Sequence, residues 1–367
     1  MSKFDLIPKP SVDEIDLPLQ FKPLYIELLA DIDENLPGKP YVGNCTKEFC
    51  EKIIDLYIDD EFERIQAIEF PSTREKEIDI ETCKKEIDSL LQKEVKTKNT
   101  WNIIKKFHKS IIYASRGNCL SPIDGWKKIK SDKKAFRSFY HNRLRCSDWY
   151  KEKKWHNLRW LVQGYVPEFI YGIGLSTSRK YPEVSYFKPG LAKYLILKYL
   201  DEFDEIFDPF SGYSGRMLGT IATGKEYIGQ DLCVSSVDES KSVYDFVSEY
   251  MKEKGYEVRK VVLSVKDSEI SHGTYQCLFT CSPYENIERW PGVPSKGYTC
   301  DEWIEICLKN YDCRRYVFVT DEKISKFTGY VKEKIENTSH FGANSELVVV
   351  IEKSDRDHIL NEMLDTK

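Results

Sequence analysis

Apolar residues recur along this chain with two different periods. Between Thr46 and Tyr57, the positions Phe49, Ile53, Ile54 and Tyr57 fall at helical spacing, with Thr46 placed to cap the N-terminus. Thr82–Val95 repeats the pattern with Ile87, Leu90 and Leu91, and predicts a second helix. Pro8, Pro10 and Pro18 argue against a helix in the first twenty residues. After Val166 short β-branched and apolar runs begin to alternate with helical stretches. Ile206-Phe207 leads into Asp208, Tyr227-Ile228-Gly229 towards Asp231, and Val261-Val262-Leu263 towards Asp267. Cys277-Leu278-Phe279 leads into Thr280, Tyr316–Val319 into Thr320-Asp321, and Leu347–Ile351 closes the series. Leu191–Leu200, Gly215–Thr223, Ser236–Lys254 and Glu302–Asn310 supply the intervening helices. That alternation predicts an α/β domain with a mostly parallel central sheet over 166–367, preceded by a mainly α-helical region over 1–165.

Charge changes this picture. The net charge is −5, which taken alone argues against a nucleic-acid partner. From Lys93 to Arg159, however, nineteen Lys and Arg stand against five Asp and Glu, an excess of +14, so the other 300 residues carry −19. Such asymmetry points to nucleic-acid contact. Aromatic residues interleave with the basic ones, among them Trp101, Phe107, Tyr113, Trp126, Phe136, Phe139, Tyr140, Trp149, Tyr150 and Trp155. The combination suits phosphate binding and base stacking. It equally suits a helical core with a solvated lysine face.

Other features are bland. The eleven cysteines include no CxxC pair, and neither Cys45/Cys50 nor Cys277/Cys281 has a partner pair at zinc spacing, so reduced, mostly buried thiols and no metal are expected. No run of about 18 apolar residues predicts a membrane span. Met1-Ser2-Lys3-Phe4-Asp5 lacks the apolar core of a signal peptide, so a cytoplasmic protein is expected.

Three segments carry candidate chemistry. In Phe207–Arg216 a short strand ends in Asp208, passes a glycine-bearing turn (Gly212, Gly215) and enters a helix. Ligands of open α/β sheets bind at the carboxyl ends of the strands, and glycine lets backbone approach a ligand closely. An acid opening the turn suits an amine-bearing ligand better than a phosphate. About twenty residues on, Asp231 ends the next strand, where a carboxylate can accept ribose hydroxyls. Thr280-Cys281-Ser282-Pro283-Tyr284 ends a later strand. Proline stiffens that turn, tyrosine offers a flat face to a base, and turn carbonyls can orient an amine towards a methyl donor.

These residues resemble the amino-methyltransferases of the N6-adenine and N4-cytosine DNA methylase superfamily. Asp208-Pro209-Phe210-Ser211-Gly212 is similar to the family's cofactor motif, with Tyr213–Arg216 closer to a variant that reads Gly-Trp-Gly-Gly-Arg. Phe187-Lys188-Pro189 resembles the upstream cofactor motif, and Cys281–Tyr284 the catalytic Asp/Asn/Ser-Pro-Pro-Tyr. The resemblance covers about residues 180–352. It implies a Rossmann-like methyltransferase domain, S-adenosyl-L-methionine as cofactor, DNA favoured over RNA as partner, and a place in DNA methylation and restriction–modification. It implies that Asp208 holds the methionine amino group with Gly212 and Phe210 near it, that Asp231 binds the ribose and Asp267 the adenine, and that Lys188 and Pro189 lie by the carboxylate end. Tyr284 would stack on the target base.

Two positions depart from the motif: Cys281 replaces a good acceptor, since sulfur is a weak one, and Ser282 replaces the first proline. Either main-chain carbonyls hold the amine, or Ser282 supplies the acceptor, or activity is lost and the chain is a nucleic-acid-binding relic. Thr-Cys-Ser also resembles the nucleophile motif of cytosine-5 methyltransferases, in which Cys281 would attack the pyrimidine ring. Little room remains after Tyr284 for target recognition, so the basic segment at about 93–159 is expected to bind the nucleic acid, with Arg137, Arg143, Arg145, Lys153 and Lys154 on phosphates.

Overall fold

The computed structural model describes residues 78–93, 102–116, 119–144, 186–281, 288–290, 297–335 and 346–365, together with positions 58, 59, 62, 63, 65, 66, 184, 292 and 293. The helix expected over Thr46–Tyr57 lies outside them. The described residues divide into two compact units, with cuts at 73/74, 121/122 and 181/182.

Helix α1 (Ile80–Leu91) starts two residues before the expected Thr82, because the Asp79 side chain accepts from the Thr82 amide and caps it. Its apolar stripe buries Cys83, Ile87 and Leu90. A short helix α2 (Asn102–Phe107) and a 3₁₀ turn at Lys109–Tyr113 follow. The chain then leaves this unit for the smaller one, where α3 (Pro122–Ser131) and α4 (Lys133–Leu144) form a hairpin. Trp126, Ile129, Phe136 and Phe139 are buried there, and Phe62 packs on Phe136. Lys127, Lys128, Lys133, Lys134 and Arg137 are exposed. Among the described side chains of this hairpin the aromatics make the core, and these five cations lie at the surface.

The larger unit is built on seven strands. In chain order come α5 (Pro189–Tyr199), β1 (Glu205–Asp208), α6 (Gly215–Ile221), β2 (Glu226–Asp231), α7 (Val234–Glu253), β3 (Val261–Val265), β4 (Gly273–Cys281), α8 (Cys300–Asn310), β5 (Tyr311–Thr320), β6 (Val331–Ile335), β7 (Glu346–Glu352) and α9 (Lys353–Asp365). The sheet order is β3-β2-β1-β4-β5-β7-β6, parallel throughout except that β7 runs antiparallel to both neighbours. This is a mixed α/β, doubly wound, Rossmann-like sheet. The chain moves outward from β1 to β3, then returns to lay β4 on the other side of β1. The strand order therefore reverses between β1 and β4, the place where such sheets bind ligands.

Burial alternates along the strands as a two-faced sheet requires. Ile206, Cys277, Phe279, Val317, Val319, Val348 and Val350 pack with α5 on one face. Phe207, Leu278, Tyr316, Phe318, Val349 and Ile351 pack with α8 and α9 on the other. The edge strand β6 and the helix α9 were not foreseen. In β6 Lys332, Glu333 and Lys334 dilute the apolar pattern, as suits a charged edge that resists pairing with another chain.

The segment carrying α1 and α2 packs with the sheet unit. Ile87, Ile103, Ile104 and Ile111 share a core with Met217, Tyr227, Val243 and Val247. Lys193 of α5 is buried and donates to the carbonyls of Leu90 (2.7 Å) and Gln92 (2.5 Å), satisfying the end of α1. Ser115 and Arg116 pair with Arg289 and Glu288 in a two-residue antiparallel ladder.

Helices α5 and α6 touch through glycine. A Cβ on Gly219 would stand 2.4 Å from the Ala192 Cβ and 2.8 Å from the Lys193 amide. Gly219→Ala therefore forces backbone apart, and we expect a loss of about 1–3 kcal/mol. Urea unfolding of the two proteins measures it; an unchanged midpoint would refute the close approach.

A candidate ligand site at the strand-order reversal

Strand β1 ends in Asp208, which is fully buried. Its Oδ2 accepts from Arg216 Nε (2.7 Å) and the Tyr227 hydroxyl (2.7 Å), and its Oδ1 from Thr280 Oγ1 (2.7 Å) and the Phe210 amide (3.2 Å). These donors come from α6, β2, β4 and the loop after β1. Burial disfavours the Arg216 cation, but the adjacent Asp208 charge outweighs it and holds the guanidinium protonated. Burial, then the same carboxylate, pushes the Tyr227 phenol well up, so it remains a donor. Asp208 is thus saturated by the protein itself. Sequence reasoning assigned this carboxylate to a ligand amine; its geometry instead fixes the loop.

That loop runs from Pro209 to Ser214. The Phe210 carbonyl accepts from Arg216, and the Ser211 amide donates to Gln230 O (2.9 Å). Gly212 has φ +56°; its amide donates to Asp231 Oδ2 (2.9 Å) and its carbonyl accepts from Ser236 Oγ (2.5 Å). A Cβ on Gly215 would lie 1.8 Å from the Phe187 carbonyl, so only glycine allows Phe187–Pro189 to press on the turn. The Phe187 ring also stacks on the Arg216 guanidinium, 5.2 Å away. Lys188 occupies the N-cap position of α5 and Pro189 its first turn. The upstream motif and the glycine turn are therefore one constellation.

Asp231 ends β2 and is partly exposed. Its oxygens accept from Gly212 N and Cys233 N (both 2.9 Å), leaving each a further lone pair. Burial pushes its carboxyl up, against those two amides. Asp267 caps its own turn through the Glu269 amide (3.0 Å). That turn is tied to the loop: Ser268 Oγ donates to Pro209 O (2.5 Å), and Lys266 N to Asp231 O (3.1 Å). Gly212, Asp231 and Asp267 are thereby brought to one end of the sheet.

Cys281 closes β4 and is half-buried. Thr280 binds Asp208, and Leu278 pairs with Phe207, so the chain leaves β4 directly beside the glycine turn. Ser282, Pro283 and Tyr284 lie outside the described residues, as do Arg145, Lys153 and Lys154. Arg143 falls in α4 with its side chain undescribed, while Arg137 is exposed on the same helix. The described part of the site thus comes from residues 187–289, together with contributors that no motif announced. Trp290 stacks on Tyr213 (4.3 Å, 23°) and its ring edge approaches Gly212. His108 is bonded to Ser214. Phe210 meets Trp303 at 4.8 Å, and Trp303 meets Tyr298 at 5.0 Å. Trp290 lies six residues beyond Tyr284, past the positions of the motif. His108 and Trp303 had no local signal.

No family model matches the chain, and no curated protein matches it. Solved structures similar to part of it include magnesium protoporphyrin IX methyltransferase of Synechocystis PCC 6803 with bound SAM (12% identity, 44% of this chain, 76% of that chain, TM-score 0.32). The N-terminal domain of EvdMO1 with SAH bound is another (12%, 47%, 87%, TM-score 0.30), and Thermoplasma acidophilum protein 1320 a third (12%, 44%, 85%, TM-score 0.31). The fold assignment rests on the strand order and pairing of the chain itself. Among the described residues no helix is long and apolar enough to cross a membrane.

Arg216→Met leaves the buried Asp208 carboxylate without its charge partner, and we expect a loss of about 3–5 kcal/mol. Adding Asp208→Asn should recover part of it. Thermal and urea unfolding of the single and double variants decide; a single variant as stable as the parent defeats this account.

Proposed function

We propose that the chain is an S-adenosylmethionine-dependent methyltransferase that modifies an exocyclic amine of a nucleic-acid base, with DNA the favoured substrate. The observation that carries this reading is the adjacency, at the strand-order reversal, of the Gly212 turn after β1 and the end of β4 at Thr280–Cys281. The glycine turn is suited to a methyl donor, and the segment that follows Cys281 is read as the one that holds the acceptor.

The residues fit the donor. Gly212 carries no side chain at the turn, and a Cβ there would touch the Phe210 carbonyl and the Trp290 ring at ordinary contact distance (3.8 Å each). The Ser211 hydroxyl is buried without a partner. Asp231 keeps acceptor capacity for ribose hydroxyls, exposed Val234 lies three residues on, and Asp267 stands at the next strand end. When bound, the donor supplies an electrophilic methyl group. Because Asp208 is saturated and the amides of Phe210–Gly212 are engaged, the methionine end would meet the main-chain carbonyls of Phe210–Gly212, each with a second lone pair, and residues Lys188 and Pro189. The turn at Cys281–Tyr284 would hold the amine by its carbonyls and stack the base on Tyr284.

Methylation of mixed DNA and RNA with labelled donor, followed by nucleoside mass analysis, tests the reading. N6-methyladenine or N4-methylcytosine is expected, and Cys281→Ser should retain it. Complete loss in Cys281→Ser, with a trapped adduct on a fluorinated pyrimidine, would replace it by cytosine-5 chemistry. Calorimetry should show donor affinity falling about tenfold or more in Asp231→Ala, a change of about 1.4 kcal/mol. A chain that binds nucleic acid but neither donor nor methyl groups would be the relic.

The α3–α4 hairpin supports a nucleic-acid partner by the exposed cations Lys127, Lys128, Lys133, Lys134 and Arg137, while Trp126, Phe136 and Phe139 are buried. Each phosphate contact removed lowers the slope of log affinity against log salt by about 0.9 on duplex DNA. Reversing Lys128, Lys134 and Arg137 together to Glu should weaken binding and flatten that slope. An unchanged slope excludes the hairpin from the interface.

A further inference from the structure

His108 is fully buried, in a segment with no recognisable motif, and it touches the glycine turn. Its Nε2 lies 2.7 Å from Ser214 Oγ, its Nδ1 lies 3.3 Å from Glu239 Oε2, and its ring meets Tyr213 edge-on at 5.1 Å. Ser214 is the non-glycine residue with positive φ (62°) among the described residues. An L-residue is strained there, and glycine would adopt the conformation freely. What Ser214 offers instead is a hydroxyl held from two sides, by His108 and by Ser240 Oγ at 2.8 Å.

The same segment grips the other parts of the site. Ser110 donates its amide (2.8 Å) and hydroxyl (2.5 Å) to Glu239 of α7, the helix whose Ser236 binds the Gly212 carbonyl. Burial works against the Glu239 charge, but the imidazole and Ser110 outweigh it and hold the carboxyl below its usual range. Burial pushes the His108 pKa down, so the imidazole is neutral. A few residues on, Ser115–Arg116 pairs with Glu288–Arg289, next to the Trp290 that stacks on Tyr213.

We propose that His108 is a positioning residue of the donor site: through Ser214 it holds the Gly212–Gly215 turn in its ligand-ready conformation. The Asn102–Arg116 segment is then part of the donor machinery, not of substrate recognition. The proposal rests on reading that turn as the donor loop.

The test uses the full chain with His108→Ala and His108→Gln, the second to keep a polar group near Ser214. Amide hydrogen exchange without any ligand reads the turn directly. His108→Ala should speed exchange across 211–216 by about tenfold, or about 1.4 kcal/mol of local protection, with β5 and β7 unchanged. His108→Gln should fall between it and the parent. Calorimetry with S-adenosylhomocysteine should show binding about tenfold weaker, with kcat at saturating donor unchanged. Adding Ser214→Gly to His108→Ala should restore affinity, because glycine takes the positive φ unaided. Parental exchange and affinity in His108→Ala, or no rescue by Ser214→Gly, overturns the proposal. A parent chain that binds no S-adenosylhomocysteine overturns the donor reading and the donor role; the exchange difference still decides whether His108 holds the turn.

Discussion

The buried ion pair between Asp208 and Arg216 organises the larger unit. One carboxylate gathers a guanidinium from α6, a phenol from β2, a hydroxyl from β4 and an amide from the loop between β1 and α6. Removing a charge from water costs several kcal/mol unless paired and hydrogen-bonded. Here every lone pair has a donor, so the pair can remain buried at the sheet centre. The consequence is geometric. The loop after β1 and the end of β4 are fixed to the same atom group, and anything bound between them meets a preset arrangement.

Glycine completes that arrangement from the other side. Gly215 and Gly219 let Phe187–Ala192 lie directly on the first turns of α6, where any side chain would meet backbone atoms. The Arg216 guanidinium is then sandwiched between Asp208 and the Phe187 ring. A candidate site assembled from distant segments needs such contacts, because loop residues alone have no fixed partner.

The smaller unit obeys a different economy of positions. Among its described residues, Trp126, Phe136 and Phe139 are taken up by the hairpin core, while Lys127, Lys128, Lys133, Lys134 and Arg137 are exposed. Electrostatic attraction to a polyanion needs only that exposure. Base stacking would need exposed rings, and Trp126, Phe136 and Phe139 do not provide them.

Much of the fold was legible because both periods of burial are written locally. The strands ending at Asp208, Asp231 and Thr280 and the helices between them follow from apolar spacing, and the parallel sheet from their alternation. The charged edge strand β6 was not legible, since its apolar residues are too few to mark a face. The glycine turn and Asp231 marked a candidate ligand site through residue type and spacing alone. The sequence could not tell that Asp208 faces inward, that Phe187 needs Gly215, or that His108, more than a hundred residues away, bonds to Ser214. Those facts depend on which segments the sheet brings into contact. Residue type fixes what a side chain can bond to, and only tertiary packing fixes which partner reaches it first.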